Sequence, residues 1–439
     1  MDRQHEYVLR SVEERGVRLI RLWFTDVTGQ LKGIAISPAE LETAFDEGMH
    51  FDGSSIDGFS RVQESDVLLR PDPTTFELLP WESSVQARMF CDIQGLGGEP
   101  FEGDPRQVLK RTLGQAREQG FSFMVAPELE YFYFADESSP IPLDMGSYFD
   151  VTTSDVATDL RLKTISALEH MGIPIEYSFH EDSPSQHEID LRYTDALTMA
   201  DTVMTARLIV KELAQQAGVH ATFMPKPIAG VQGSGMHSHL SLFDGGANAF
   251  HEPGQPGQLS KVGQAFAAGL LRHAREITAI TNQLVNSYKR LVVGYEAPVF
   301  VSWAHNNRSA LLRVPVTRSD KSSSTRVEYR SPDPACNPYL AFSVMLAAGL
   351  RGIAEGYELP SEATQNLFEL SPAELDAAGI EPLPQSLAEA LDVMEQSDLV
   401  RETIGEHIFE WFLRNKRTEW SAYKAQVSQF ELDRYLGIW

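Results

Sequence analysis

Glu102-Gly103-Asp104-Pro105 is the stretch on which the reading of the fold turns. Asp104 can accept a free N–H at the start of a helix, and Pro105 suits the first helical position, where no N–H is needed. The quartet therefore separates a strand-rich segment from one in which helices and strands alternate. Upstream, an amphipathic helix over 2–15 ends at Gly16. Segments 17–27 and 31–36 pair as strands across Thr28-Gly29-Gln30, and further short strands run to about Ile93. Residues 1–103 are thus expected to form a small module with a β-rich core, and 104–439 a larger domain. In the latter, a helix over 107–119 closes at Gly120, and 123–134 is a strand or hairpin limb. A helix over 155–171 stops at Gly172, with Pro174 beyond it. Long helices are expected over 196–217 and 259–280. The segment 337–353 is nearly uncharged, which predicts a buried helix, and a charged helical tail starts at Leu387. The class is α+β.

Bulk properties narrow the function. The 439 residues are 42% hydrophobic, enough for a sizeable core, and the formal net charge is −25. So acidic a chain lacks the basic surface that nucleic-acid binding needs. Cys91 and Cys336 lie in apolar or small-residue surroundings and read as two buried thiols. No signal-peptide core follows Met1, and the longest uncharged apolar stretch, 339–350, is too short to span a bilayer. A cytoplasmic protein without membrane contact is expected.

Four clusters carry chemistry. In Pro127-Glu128-Leu129-Glu130-Tyr131-Phe132, strand alternation turns Glu128 and Glu130 one way and Leu129 and Tyr131 the other. Burying two carboxylates side by side is costly unless a cation joins them, and a hard divalent ion bound by oxygens removes that cost. In His180-Glu181-Asp182-Ser183-Pro184-Ser185-Gln186-His187-Glu188-Ile189-Asp190, Ser-Pro-Ser breaks regular structure, so Glu181 and Glu188 can fall together across a turn. Val231-Gln232-Gly233-Ser234-Gly235-Met236-His237-Ser238-His239-Leu240-Ser241 combines glycines that let a backbone approach a ligand with two histidines sharing one face. In Thr325-Arg326-Val327-Glu328-Tyr329-Arg330-Ser331, Arg326, Glu328 and Arg330 alternate against Val327 and Tyr329. From Lys289 to Arg330 eight basic residues face three acids, a local +5 suited to an anion. Carboxylate and imidazole ligands, a glycine-rich approach and an arginine set together equip a site for two or three divalent cations, a polyphosphate and an anionic substrate. Phosphoryl transfer is the reaction class that uses such equipment.

These clusters occur in order with Asp52-Gly53-Ser54-Ser55-Ile56-Asp57-Gly58-Phe59, Asn286-Ser287-Tyr288-Lys289-Arg290-Leu291-Val292, Gly294-Tyr295-Glu296-Ala297-Pro298 and Asn307-Arg308-Ser309. Over essentially its whole length the chain resembles type I glutamine synthetase. The resemblance implies a small β-grasp-like N-terminal domain and a catalytic domain built on a curved antiparallel sheet, a half-barrel flanked by helices. It implies ligation of ammonia to the γ-carboxylate of glutamate through a γ-glutamyl phosphate made from ATP.

By the same resemblance, Glu130, Glu181 and Glu188 would hold one metal and Glu128, His237 and Glu328 another, with Mg²⁺ or Mn²⁺ as the ion. Gln232 and Gly233 would receive the glutamate amino group, Arg290 and Arg330 its carboxylate, and Arg308 and Arg313 the transferring phosphate. Glu176, His239, Ser241 and Arg326 would contact the nucleotide, and Tyr193 would stack on adenine. Glu296 would sit on a flap that closes over glutamate and shields the acyl phosphate from water. Asp52, with Ser55, Tyr148 and Glu181, would form the ammonium pocket and supply the base. Family members complete this pocket from an adjacent subunit, in a dodecamer of two stacked hexamers.

Departures from the family's common pattern include Phe179 for a histidine, Gln232 for an asparagine and Val293 for a proline. A longer 316–325 loop leaves Lys321 as the candidate for the family's lysine contact. Phe368 stands where adenylylated members carry tyrosine and has no hydroxyl to modify. Arg61 matches an arginine used in feedback inhibition by the Gram-positive branch. The chain also resembles actinobacterial paralogues that ligate glutamate to polyamines, which makes γ-glutamylpolyamine synthesis the runner-up. A non-catalytic scaffold would have lost a metal ligand or the flap glutamate, and none is lost.

Overall fold

The computed structural model describes residues 3–54, 56, 58, 66–82, 84–151, 156–252, 254, 258–307, 309–316 and 322–439. After the helix Arg3–Arg15, ended by Gly16 at φ +63°, strand Leu19–Thr25 turns back into Leu31–Ile36, with Ile20 opposite Ile36. The turn is held from inside by Asp26, whose carboxylate accepts the Gln30 N–H and the Thr28 hydroxyl. Leu19–Thr25 also runs parallel to Gln86–Gln94, which pairs on its other side with Asp66–Pro71. The resulting six-stranded sheet buries Ile20, Leu22, Leu69, Met89 and Ile93 against the first helix. This is the expected β-grasp architecture.

Asp104 caps the helix Pro105–Glu118 through the Arg106 N–H, as the sequence predicts. Arg106 itself fastens the two parts of the chain. It is 3% exposed, and its guanidinium meets Asp72 and Asp92 on one side and Asp201, in the helix Ala196–Gln216, on the other. The second sheet has ten strands and is curved. Phe121–Phe134 runs through its middle, with Ser238–Asp244 on one side and Gln186–Leu191 on the other, all antiparallel. Val327–Tyr329 and Leu312–Arg313 extend one flank and Ile175–His180 the other. The expectation of an antiparallel sheet needs one amendment, since Trp303–Ala304 joins Leu312–Arg313 in parallel.

Behind the sheet, Leu129, Tyr131, Val327 and Tyr329 enter a core shared with the helix Pro338–Glu355. That helix is capped by Asn337 and closed by Gly356 at φ +66°. The apolar period over 259–280 reads as one helix, but the structure holds two, Lys261–Arg272 and Ala274–Thr281. His273 leaves helical geometry (φ −97°, ψ 6°), and its Nδ1 meets Glu276 at 2.8 Å in the first turn of the second helix. Cys91 and Cys336 are buried free thiols. Among the described residues, no helix is long and apolar enough to cross a membrane.

Candidate active site

Strand register assembles the site. On the open face of the sheet Glu128 lies directly opposite Asp190, and Glu130 directly opposite Glu188. Like charges facing one another across a ladder repel, and here burial adds to the cost. Burial, and then the charge of Glu181, pushes the Glu130 carboxyl up to about 8. Burial pushes Asp190 up to about 7 and, with the Asp190 charge, raises Glu188 well above the ordinary range. Asp190 Oδ1 is buried with no hydrogen-bond partner.

The histidines approach from the neighbouring strand. His237 Nδ1 lies 3.0 Å from one Glu128 oxygen and His239 Nε2 2.7 Å from the other. Arg326 Nε donates to His239 Nδ1 at 3.1 Å, so the proton on His239 sits at Nε2 and points at Glu128. Burial opposes the Glu128 charge, but His239 and His237 more than offset it and hold the carboxyl well below its usual value. Glu328, opposite His239 in register, is gripped by Arg330 Nε at 3.0 Å and Arg313 Nη1 at 2.9 Å. Arg330 Nη1 is buried with no partner, a donor left for an anion.

Gly233 and Gly235 are packed tightly against neighbouring protein atoms. A Cβ on Gly233 would fall 2.2 Å from the Pro225 carbonyl oxygen, and one on Gly235 would fall 2.4 Å from Arg290 Nη2. Gln186 ties this loop to the sheet by donating to both Glu130 and the Gly233 carbonyl.

Two adjoining hollows result. The larger, about 710 Å³, is lined by all six expected metal ligands, Glu128, Glu130, Glu181, Glu188, His237 and Glu328. Gln232, Gly233, Arg290, Arg330, Tyr148 and Glu296 line it too. The smaller, about 470 Å³, is lined by Glu176, Tyr193, His239, Ser241, Arg313 and Arg326, the residues expected to meet a nucleotide. Glu128, Tyr177, Asp190 and Arg313 border both. Glu296 has φ +54°, a strained conformation for a side-chain-bearing residue. Beside it, Lys226 Nζ sits 3.8 Å over the Tyr295 ring.

Asp52 lines neither hollow; it is exposed and accepts the Ser54 N–H at 2.8 Å. Ser55, Arg308, Arg61 and Lys321 lie outside the described residues. Asp190 is a site residue beyond those the sequence motifs assign, and it shares a strand face with Glu188 by the same alternation that marks Glu128 and Glu130. Phe149 and Phe179 were also not assigned to the site, and both line the larger hollow.

A β-grasp module joined to a curved sheet, with crowded carboxylates between an arginine set and a second hollow, is an arrangement able to hold divalent cations and anionic ligands side by side. Family models describing the β-grasp domain and the catalytic domain of glutamine synthetase match residues 16–95 and 102–435. Mycobacterium tuberculosis glutamine synthetase is 56% identical over 446 aligned positions, covering 100% of both chains. A solved GmaS/ADP complex superimposes with a TM-score of 0.89 at 30% identity, covering 98% of this chain and 99% of the other. Plasmodium falciparum glutamine synthetase superimposes with a TM-score of 0.88 at 25% identity, covering 99% of each. The chain belongs to the glutamine synthetase family, and the activity that goes with that membership is ATP-dependent ligation of glutamate and ammonia.

Proposed function

We propose that ATP occupies the smaller hollow and glutamate and ammonium the larger, and that the γ-phosphoryl group passes between them at their common wall. The supporting observation is the pair of opposed carboxylates, Glu128 with Asp190 and Glu130 with Glu188, on one sheet face. Such a donor set fits divalent cations, because protons are otherwise needed to relieve its repulsion. Glu130, Glu181 and Glu188 would hold one Mg²⁺ or Mn²⁺, and Glu128, His237 and Glu328 a second. When bound, these ions neutralise and orient the phosphates.

The chain's own groups do the rest. Arg290 and Arg330 take the glutamate α-carboxylate, while Gly233 and the Gln232 backbone take its amino group. Arg308 and Arg313 hold the transferring phosphate. Tyr193 stacks on adenine, and Glu176, His239, Ser241 and Arg326 anchor the nucleotide. Glu296 closes over the acyl phosphate and excludes water. Asp52 of an adjoining copy, with Ser55, Tyr148 and Glu181, binds ammonium and removes its proton, so the working unit is a homo-oligomer, a dodecamer of two rings. The division at 103/104 separates a module that contributes Asp52 from one that carries the rest, and the protein acts in the cytoplasm.

Phosphate release with ATP and glutamate, followed with ammonium, putrescine or spermidine as acceptor, tests this reading. Glutamine formation with ammonium and only background release with the polyamines is expected. Faster turnover on a polyamine would move the chain to the runner-up activity.

The carboxylate crowding also predicts a pH dependence. Glu130 and Asp190 titrate at about 8 and about 7, against ordinary values of 4.5 and 3.8. Below the ordinary values both folded and unfolded chains keep these protons, and nothing is lost. As pH rises towards 8 the unfolded chain releases them first, so the metal-free fold loses stability across that window. Glu128 and Glu328 are shifted the other way and act only at lower pH. Cations replace the protons, so the Mg²⁺-induced rise in melting temperature should be larger at about pH 8 than at about pH 5.5. A rise independent of pH would take the ions away from these carboxylates.

A further inference from the structure

On the face of the Ile175–His180/Gln186–Leu191 hairpin turned away from Glu130 and Glu188 lies a polar chain that the reaction does not use directly. His180 and His187, opposite each other in register, are 1% and 0% exposed. Arg161 Nη1 lies 2.7 Å from His187 Nδ1, and His187 Nε2 lies 3.8 Å from Asp144 Oδ2. Asp144 Oδ1 lies 2.7 Å from His180 Nε2, and His180 Nδ1 lies 2.6 Å from the Glu181 carbonyl oxygen. Asp144, His180 and His187 have the spacing of metal ligands. Arg161 decides against an ion. A guanidinium can only donate, so His187 Nδ1 accepts and its proton sits on Nε2, the atom a metal would need. Both nitrogens of His180 are already engaged by protein oxygens, the Glu181 carbonyl and Asp144.

What the chain holds is the wall of the larger hollow. Asp144 also accepts the Gly146 N–H at 2.8 Å and the Ser185 N–H at 3.1 Å. Ser185, at φ +60°, turns its hydroxyl oxygen to the N–H groups of Leu143 and Asp144. Phe149, at φ +63°, donates its N–H to the His180 carbonyl at 3.0 Å. Residues 143–149 are thereby laid against the hairpin, and they carry Tyr148 and Phe149. These rings stand 5.6 and 4.8 Å from Phe179 and form an aromatic wall beside Glu181.

The geometry points to Asp144 and His180 as positioning residues for the amine end of the site, fixing Tyr148 and the aromatic wall relative to Glu181. This rests on the proposed placement of ammonium at Tyr148 and Glu181. The two groups come from segments far apart in sequence, and the Asp144–His180–Glu181 carbonyl path ties them together beside the Phe149 N–H bond to the His180 carbonyl. Neither residue lines either hollow.

Asp144→Asn in the full-length assembled enzyme keeps the shape and one acceptor but removes the charge and the second acceptor. The KM for ammonium should rise about 10- to 100-fold, while the KM for ATP stays within about twofold. Gly146→Ala places a Cβ 2.5 Å from His180 Nε2 and should give the same selective rise. If Asp144→Asn does not fold, Gly146→Ala decides the matter. An unchanged ammonium KM, or parallel rises for all substrates, would overturn the positioning role. A wild-type enzyme that makes no glutamine would instead overturn the ligase reading.

Discussion

Glu328→Ala is expected to lower turnover by about 10²–10³-fold or more and to destabilise the fold by about 3–5 kcal/mol. Both effects come from what surrounds the carboxylate. Glu328 is 2% exposed, and burial opposes its charge, yet the imidazoles of His239 and His237 and the guanidinium of Arg330 keep it ionised. Arg330 is 6% exposed and meets Glu328 through Nε, so alanine leaves a guanidinium buried without its carboxylate. Arg313 is partly solvated and contributes little to the stability loss. Glu328→Gln separates the two effects. It keeps the shape and one acceptor, so it should recover part of the stability and almost none of the turnover. Initial rates and denaturant unfolding on both variants check this. A glutamine variant within about threefold of wild-type turnover would remove Glu328 from the ligand set.

Glu296→Ala should leave assembly intact, lower glutamine formation by about 10²-fold and uncouple the reaction. The side chain lines the larger hollow from a loop that also packs Tyr295 against Lys226. Its φ of +54° is as strained for alanine as for glutamate, so the change removes the carboxylate without altering the backbone cost. With the cover weakened, water reaches the acyl phosphate and hydrolyses it. Phosphate released per glutamine made should rise above one. A ratio that stays at one with unchanged turnover would show that Glu296 neither covers nor orients the reacting groups.

Local rules carried much of this architecture in the sequence. Alternation in Pro127–Phe132 and around Glu328 placed carboxylates on one side and Leu129, Tyr131, Val327 and Tyr329 in the core, because those segments are strands with one face buried. Asp104, Gly16, Gly120 and Gly172 announce helix ends through capping chemistry and left-handed backbone. The break at His273 had no such sign, since the apolar period runs through it without glycine or proline. Asp190 was legible in principle from its spacing to Glu188, but its pairing with Glu128 depends on register. Arg161, Asp144, His180 and His187 come together only in three dimensions, as do Arg106 and Asp201, which lie 95 residues apart. The roles of particular ligands were drawn from family resemblance, since spacing alone gives clusters and not assignments.

Glu128, Tyr177, Asp190 and Arg313 line both hollows, so the two compartments meet along a border only these side chains thick. That shared border has a consequence for inhibitor chemistry. A single molecule joining an adenosine-like piece to a glutamate-like piece can straddle it, and once one half is seated the other docks at a high effective concentration. Such a bisubstrate compound draws its selectivity from the border itself, which a competitor confined to the smaller hollow touches from one side only.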